Sequence, residues 1–504
     1  MRLCRREAGF FLLTALSIVP LWIVKRPPSQ DWPQHVAAVR VLIDHAVPAL
    51  RLADAVQIDL ARTQYVGFYL LAALIAQGIG AASAVKLLMS CTLIAIPYGL
   101  RALLRASGGD ERYAPFAVVL TYTAHVLLGF LSFLAAVPLA LFALHAAIRY
   151  RVRPSLRHGV WLSLWLVALF FMHVLPFVFA LLGAVLILAG CERPALRGAG
   201  LALLPSMSLA ALWASLSPAG GSTAVLVRDA LLHRSSSATQ FDSPRRTLLE
   251  FPEWLTDVLP GPWDVIVLSA ACVVLLVFGL LFQDRALARA RSVPHSVRFV
   301  MVMPLFALVC AFVLPNHHGW IWPVASRFPY LFVLLFPLLL PRMQKRAGDV
   351  CAIVLGVLAL AHVGLIARAF DRIEKTEMRG FEAALALIPE GSRVLGLMYY
   401  MTSKHVLTHV FMHAHAHVQA DHGGVLMYSF AMTPQSPFVY VDPPAGPPAL
   451  RQGLGWSPHL TDMNLASEYF EYAIAHGYHE HLAMVRRYYE PIYDENGWSV
   501  YRRY

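Results

Sequence analysis

The sequence predicts a polytopic α-helical membrane protein that ends in an extramembrane α/β domain. Three observations predict it. Of 504 residues, 58% are apolar and 14% charged, where a soluble protein carries about 25% charged residues. The surplus apolar residues fall in runs of membrane-spanning length, and the mean hydropathy is positive. Past Met378 those runs stop, and short segments punctuated by Gly and Pro replace them. The expected division is residues 1–377 as the transmembrane helical domain, with external loops 25–64 and 217–260, and 378–504 as an external soluble domain.

The net charge of +11 is not gathered into one basic face. It sits in short clusters between apolar runs, such as Arg149, Arg151 and Arg153, or Arg342, Lys345 and Arg346. Cytoplasmic loops have this pattern under the positive-inside rule. The partner it implies is the lipid bilayer, and no nucleic-acid motif accompanies it. The six cysteines, Cys4, Cys91, Cys191, Cys272, Cys310 and Cys351, lie in or beside apolar runs without Cys-x-x-Cys spacing and read as small core residues.

The first apolar run, 8–24, follows Arg2, Arg5 and Arg6 and ends in Lys25-Arg-Pro-Pro without a small-residue cleavage site, so it reads as an uncleaved first helix. The loop after it is then external, and Val36-Ala-Ala-Val39 with Val41-Leu-Ile43 gives it an amphipathic helix lying along the membrane surface. The charge rule holds only if 65–80 stays on the outer side as a half-inserted helix, because otherwise Arg101, Arg105, Arg112 and the Arg149 cluster fall outside. Residues 84–100 cross, 113–128 rise outward, and 134–148 return after a turn at Gly129-Phe-Leu-Ser132. The run 159–190 is too long for one untilted crossing. It reads as two, with Met172-His173-Val-Leu-Pro176 at the tip and Pro176 as the breaker. Crossings follow at 199–216, 263–282, 300–314, 328–340 and 350–367, with an aromatic turn around 315–330. In the C-terminal domain, strands are expected at 389–397, 437–441 and 497–502 and a helix over 464–476.

This topology gathers Asp31, His35, His125, His173, His317, His318 and Arg327 at the outer face. Ionisable groups at such helix ends are either solvated interfacial side chains or functional ones, and for any one alone the solvated reading is the commoner. Asp31 suits a general base for an acceptor hydroxyl or a carboxylate ligand for a divalent metal. His35, four residues later, shares its face on a helix. Arg327 suits a phosphate, or else is a snorkelling interfacial arginine. In the C-terminal domain His413, His415 and His417 alternate, and on a strand they would line one face. With Asp31 they are the candidate ligands for a divalent metal, although no cysteine accompanies them and the spacing matches no established zinc motif. His476-x-x-His479-Glu480-His481 has the wrong order and spacing for a zinc protease.

The early external Asp31-Trp-Pro-Gln-His35, the juxtamembrane helix after it, the short hairpins, the stretch Gly129-Phe-Leu-Ser-Phe-Leu-Ala-Ala-Val-Pro-Leu-Ala-Leu141 and the C-terminal α/β domain together resemble the GT-C superfamily of polytopic glycosyltransferases, in an uncharacterised bacterial branch. The resemblance covers nearly the whole chain in layout, on short motifs. It implies inverting transfer of a sugar from a polyprenyl-phosphate-linked donor to an acceptor outside the bacterial inner membrane. Asp31 would be the base, His35 and His125 would join it in catalysis, and His173, His317, His318, Arg327 and His413 would bind substrate. One departure stands out: where many members carry a second acidic residue in the next external loop, this chain offers His125. The other class is a non-catalytic multipass protein, a transporter, lipid flippase or envelope assembly factor. Mid-helix charges would favour ion-coupled transport, and Lys86 and His145 instead lie near helix ends.

Overall fold

Backbone polar groups inside a bilayer must be satisfied within their own segment, so apolar runs in that solvent fold as helices. The computed structural model describes residues 2–284, 299–319, 321–448 and 455–504. Arg285, Arg289 and Arg291, between the expected crossings 263–282 and 300–314, and Trp320 of the aromatic turn, lie outside them. Among the described residues five helices are long and apolar enough to cross a membrane: Ala81–Ala106, Leu131–Val152, Arg193–Leu216, Trp263–Leu281 and Lys345–Glu377. Shorter apolar helices occupy Gly67–Ile79, Leu156–Met172, Val174–Leu188, Phe299–Val313 and Ala325–Leu339. Gly67–Ile79 has 13 residues. At 1.5 Å each that is about 20 Å, short of the roughly 30 Å hydrocarbon core.

The chain folds into two compact units. The first comprises Met1–Val19, Ser90–Val126 and Ser132–Ile366. Three expectations change within it. The first helix ends at Leu16, well short of residue 24. The expected span 113–128 is broken into the short helices Phe116–Val119 and Ala124–Leu128. Thr121, Tyr122 and Thr123 between them are at most 1% exposed. Broken backbone at such a depth is tolerated where protein surrounds it. The run 159–190 does divide, but His173 is the break: its backbone is extended (φ −166°, ψ 130°), it ends one helix and caps the next, and Pro176 sits in that helix's first turn. A proline costs nothing there, because its missing N–H would have no intrahelical partner.

The second unit joins Pro20–Met89, Leu127–Leu131 and Ala367–Tyr504, so it draws in the first loop as well as the C-terminal region. Among the described residues its larger sheet has five strands, in the spatial order Val425–Leu426, Arg393–Met398, Tyr472–His476, Trp498–Arg503 and Tyr489–Glu495. The first three run parallel and the remaining pairs antiparallel. The helix expected over 464–476 is half helix, Met463–Tyr469, and half strand, Tyr472–His476. Ala473, Ile474 and Ala475 are fully buried in a strand paired on both sides, and a short apolar run of that kind cannot be told from a buried helix by periodicity. Phe438–Tyr440 is a strand as expected, but it pairs antiparallel with Val56–Ile58 from the first loop.

The helix Trp32–Asp44 is not a surface helix. Nine of its 13 residues are buried, and it packs against Gly67–Ile79 and Ala416–His422. Of its polar residues, Gln34 bonds to Tyr428 and Phe430 of the C-terminal region, and His35 bonds to Gly129 and Tyr69.

Candidate functional site

Asp31 occupies the N-cap of Trp32–Asp44, a position where an aspartate ordinarily accepts from the first turn. Here the side chain makes no capping bond. Its Oδ1 instead accepts from His413 Nδ1 at 2.8 Å, with 6% of the His413 side chain and 18% of the Asp31 side chain exposed. A carboxylate can only accept, so His413 Nδ1 carries the proton. The ring lies stacked on Tyr428, with centroids 4.9 Å apart. Nε2 makes no hydrogen bond among the described residues.

Gly129 is the floor beneath Asp31. Its φ is +86°, and a Cβ there would lie 2.7 Å from Asp31 Cβ, so both backbone conformation and space demand glycine. The Gly129 carbonyl accepts from His35 Nε2 at 2.8 Å, which leaves His35 Nδ1 to accept from the Tyr69 hydroxyl at 3.0 Å. Both ring nitrogens are therefore committed. Burial pushes the His35 pKa down to about 4, against the opposing pull of Asp31 and the Gly129 carbonyl. His35 is thus a neutral residue that holds the loop around Asp31 in shape. Gln34 adds a second tie, donating to the Tyr428 carbonyl at 3.3 Å and accepting from Phe430 N at 3.2 Å.

The three alternating histidines are not on a strand. His413 and His415 lie in turns, and His417 lies in the helix Ala416–His422. His415 Nε2 donates to the Tyr428 carbonyl at 3.2 Å, and its ring fills the space left by Gly396, whose Cβ would meet it at 2.4 Å. Burial, then the neighbouring His413, lowers its pKa to about 3. His417 packs on Phe381. Burial and then Arg26 hold its pKa well below the usual histidine range. Arg26 itself joins Glu382 at 2.7 Å and Asp421 at 2.6 Å. Among the described residues no three His, Cys, Asp or Glu are grouped to hold a metal ion. Asp31 and His413 bond to each other, and His415 and His417 turn to separate partners. Among the described residues this donor set does not fit a metal centre.

The first unit holds a second group. Arg327 Nη1 donates to His173 Nε2 at 2.9 Å, and Leu175 N lies 3.2 Å from Nδ1 of the same ring. A neutral imidazole has a single acceptor nitrogen, and the shorter contact, from a charged donor, is the stronger bond. The guanidinium lies over the Phe133 ring, 5.4 Å from its centroid. His125 packs on Phe133, Trp254 and Tyr330 at 5.7, 5.9 and 5.6 Å between centroids. His317 and His318 lie on a strand paired with Thr239–Gln240. His318 Nδ1 donates to Thr239 Oγ1 at 2.9 Å, and Thr239 donates on to Asp229 at 2.8 Å. His317 lies beside Trp322.

Sequence reasoning thus named both members of the Asp31–His413 pair without joining them. It also named Arg327, His173 and His125. It missed Gly129, Tyr69, Gln34 and Tyr428 as supporting residues. Gly129 alone left a trace, as a glycine between two apolar helices.

No protein-family model and no curated protein matches the chain. Among solved structures, it is similar to ArnT from Cupriavidus metallidurans bound to undecaprenyl phosphate, at 10% sequence identity and a TM-score of 0.51, with 97% of each chain covered. At that identity the likeness is one of fold: the chain shares the fold of that membrane protein along nearly its whole length.

Proposed function

We propose that this protein transfers a sugar from a polyprenyl-phosphate-linked donor to an acceptor hydroxyl at the outer face of the bacterial inner membrane, with the C-terminal region external. The single observation that carries the reading is Asp31. It is an aspartate at a helix N-cap that leaves the backbone uncapped, rests on a glycine that alone fits, and is held by a buried histidine. A structural cap would bond to its own helix. An aspartate positioned by other segments is built for another task.

The chemistry is a single displacement. The acceptor oxygen bonds to the anomeric carbon as the bond from that carbon to the phosphate oxygen breaks, and the polyprenyl phosphate leaves with the electron pair. The acceptor proton passes to the Asp31 site, and inversion follows from one displacement. In the first unit, Arg327 is the group suited to the donor phosphate, because a guanidinium presents a fork of donors to phosphate oxygens. His35 serves as a positioning residue. The fold and the lipid bound to the similar structure support a polyprenyl-phosphate partner.

The test is consumption of labelled polyprenyl-phosphate sugars by the full-length protein in proteoliposomes. Turnover is expected with at least one donor and lost in Asp31→Asn that still inserts and folds. A flippase or assembly factor would consume none.

A further inference from the structure

We infer that the acceptor's proton is taken by His413 Nε2, with Asp31 acting through His413 as the group that orients it. The inference rests on the transfer reading above and assigns the base within it. It follows from the tautomer. Asp31 Oδ1 sits 2.8 Å from His413 Nδ1, and a carboxylate cannot donate, so the Nδ1 proton is fixed and the lone pair of the neutral ring is at Nε2. Nε2 has no hydrogen-bond partner among the described residues. By contrast His35 and His415, the other histidines of this region, have an Nε2 that donates to a backbone carbonyl. Among the described residues His413 is the one of the three whose Nε2 is left without a structural bond; the lone pair of His415 lies at Nδ1, buried and also without a hydrogen-bond partner, on a ring packed against Gly396.

The ring is also held against rotation. Tyr428 stacks on it at 4.9 Å with 22° between the planes, and the Tyr428 carbonyl is tied by Gln34 and His415. A carboxylate bonded to one imidazole nitrogen fixes ring and tautomer and stabilises the imidazolium that forms when the other takes a proton. In the transfer, the acceptor O–H bond breaks as its oxygen joins the anomeric carbon. The proton goes to Nε2, and the electron pair of the broken glycosyl–phosphate bond leaves with the polyprenyl phosphate. The imidazolium then returns its proton to water. This also accounts for the chain having no second carboxylate at the turn where His125 stands: one carboxylate and one histidine make a complete proton-accepting pair.

The experiment uses the full-length protein in proteoliposomes with labelled polyprenyl-phosphate sugars. His413→Gln keeps an N–H to donate to Asp31 but has no basic nitrogen. Donor turnover is expected to fall about 100-fold or more, with KM for the donor little changed. His413→Ala is expected to fall as far and to recover at least tenfold on adding free imidazole, which would not rescue His413→Gln. If His413→Ala does not fold, the glutamine variant decides alone. Turnover in His413→Gln within threefold of the unaltered protein, or absence of imidazole rescue in a folded His413→Ala, would overturn this inference and leave the transfer reading standing. No turnover by the unaltered protein would overturn both.

Discussion

His413 donates to Asp31 across 2.8 Å, although 382 residues separate them in sequence. That bond links the first loop to the C-terminal region within one compact unit. It makes the candidate site dependent on folding of the whole unit, and its supports can be tested singly.

Gly129→Ala tests the floor of the site. At φ +86° an alanine is strained, and its Cβ would meet Asp31 Cβ at 2.7 Å. Strain plus overpacking is expected to cost about 2–4 kcal/mol. A clear fall in the thermal midpoint of the detergent-solubilised protein, together with loss of donor turnover, is the expected outcome. An unchanged midpoint would mean that the loop does not rest on Gly129.

Tyr69→Phe removes the donor to His35 Nδ1 and leaves a buried acceptor without its bond. The expected cost is about 1–3 kcal/mol. Because the bond supports shape and not chemistry, turnover at low temperature should remain within a few-fold of normal. Thermal melts and initial rates on one preparation separate the two effects.

Stability should fall with pH between about 6.5 and 4. Buried His35 stays neutral down to about pH 4, whereas in the unfolded chain it titrates near 6.5. As pH drops through that window the unfolded chain takes up a proton that the folded chain refuses, so unfolding gains by as much as roughly 3 kcal/mol. Above about 6.5 the neutral form prevails in both states and the dependence vanishes. His415, whose pKa is lowered to about 3, adds a parallel slope, so the comparison is between the unaltered protein and His35→Gln, which should melt with a flatter pH dependence.

Arg327→Gln tests the phosphate assignment. With undecaprenyl phosphate as the probe in a thermal-shift titration, the variant should need about tenfold more lipid for the same shift, the loss of one charged hydrogen bond. Equal titrations would return Arg327 to a purely structural partner of His173 and Phe133.

The membrane class was legible because apolar runs of spanning length have one common outcome in lipid. The strand Tyr472–His476 was not, since a five-residue apolar run fits a buried strand and a buried helix alike. Nor was the burial of Trp32–Asp44. Its polar residues read as solvent-facing, while Gln34 and His35 in fact bond to Tyr428, Gly129 and Tyr69. Asp31 and His413 were each conspicuous for residue type. Their pairing was hidden because it is a tertiary contact with no local spacing to betray it. Gly129 was visible as a turn residue, but its reason, the closeness of Asp31, lies in space.

The most direct measurement is release of polyprenyl phosphate from a labelled polyprenyl-phosphate sugar by the full-length protein in sealed proteoliposomes, compared with Asp31→Asn at equal insertion. Loss of the histidine's orienting carboxylate should lower release by about 100-fold or more. Release by the variant at the unaltered rate, or no release by either protein across a panel of donor sugars, would contradict the account.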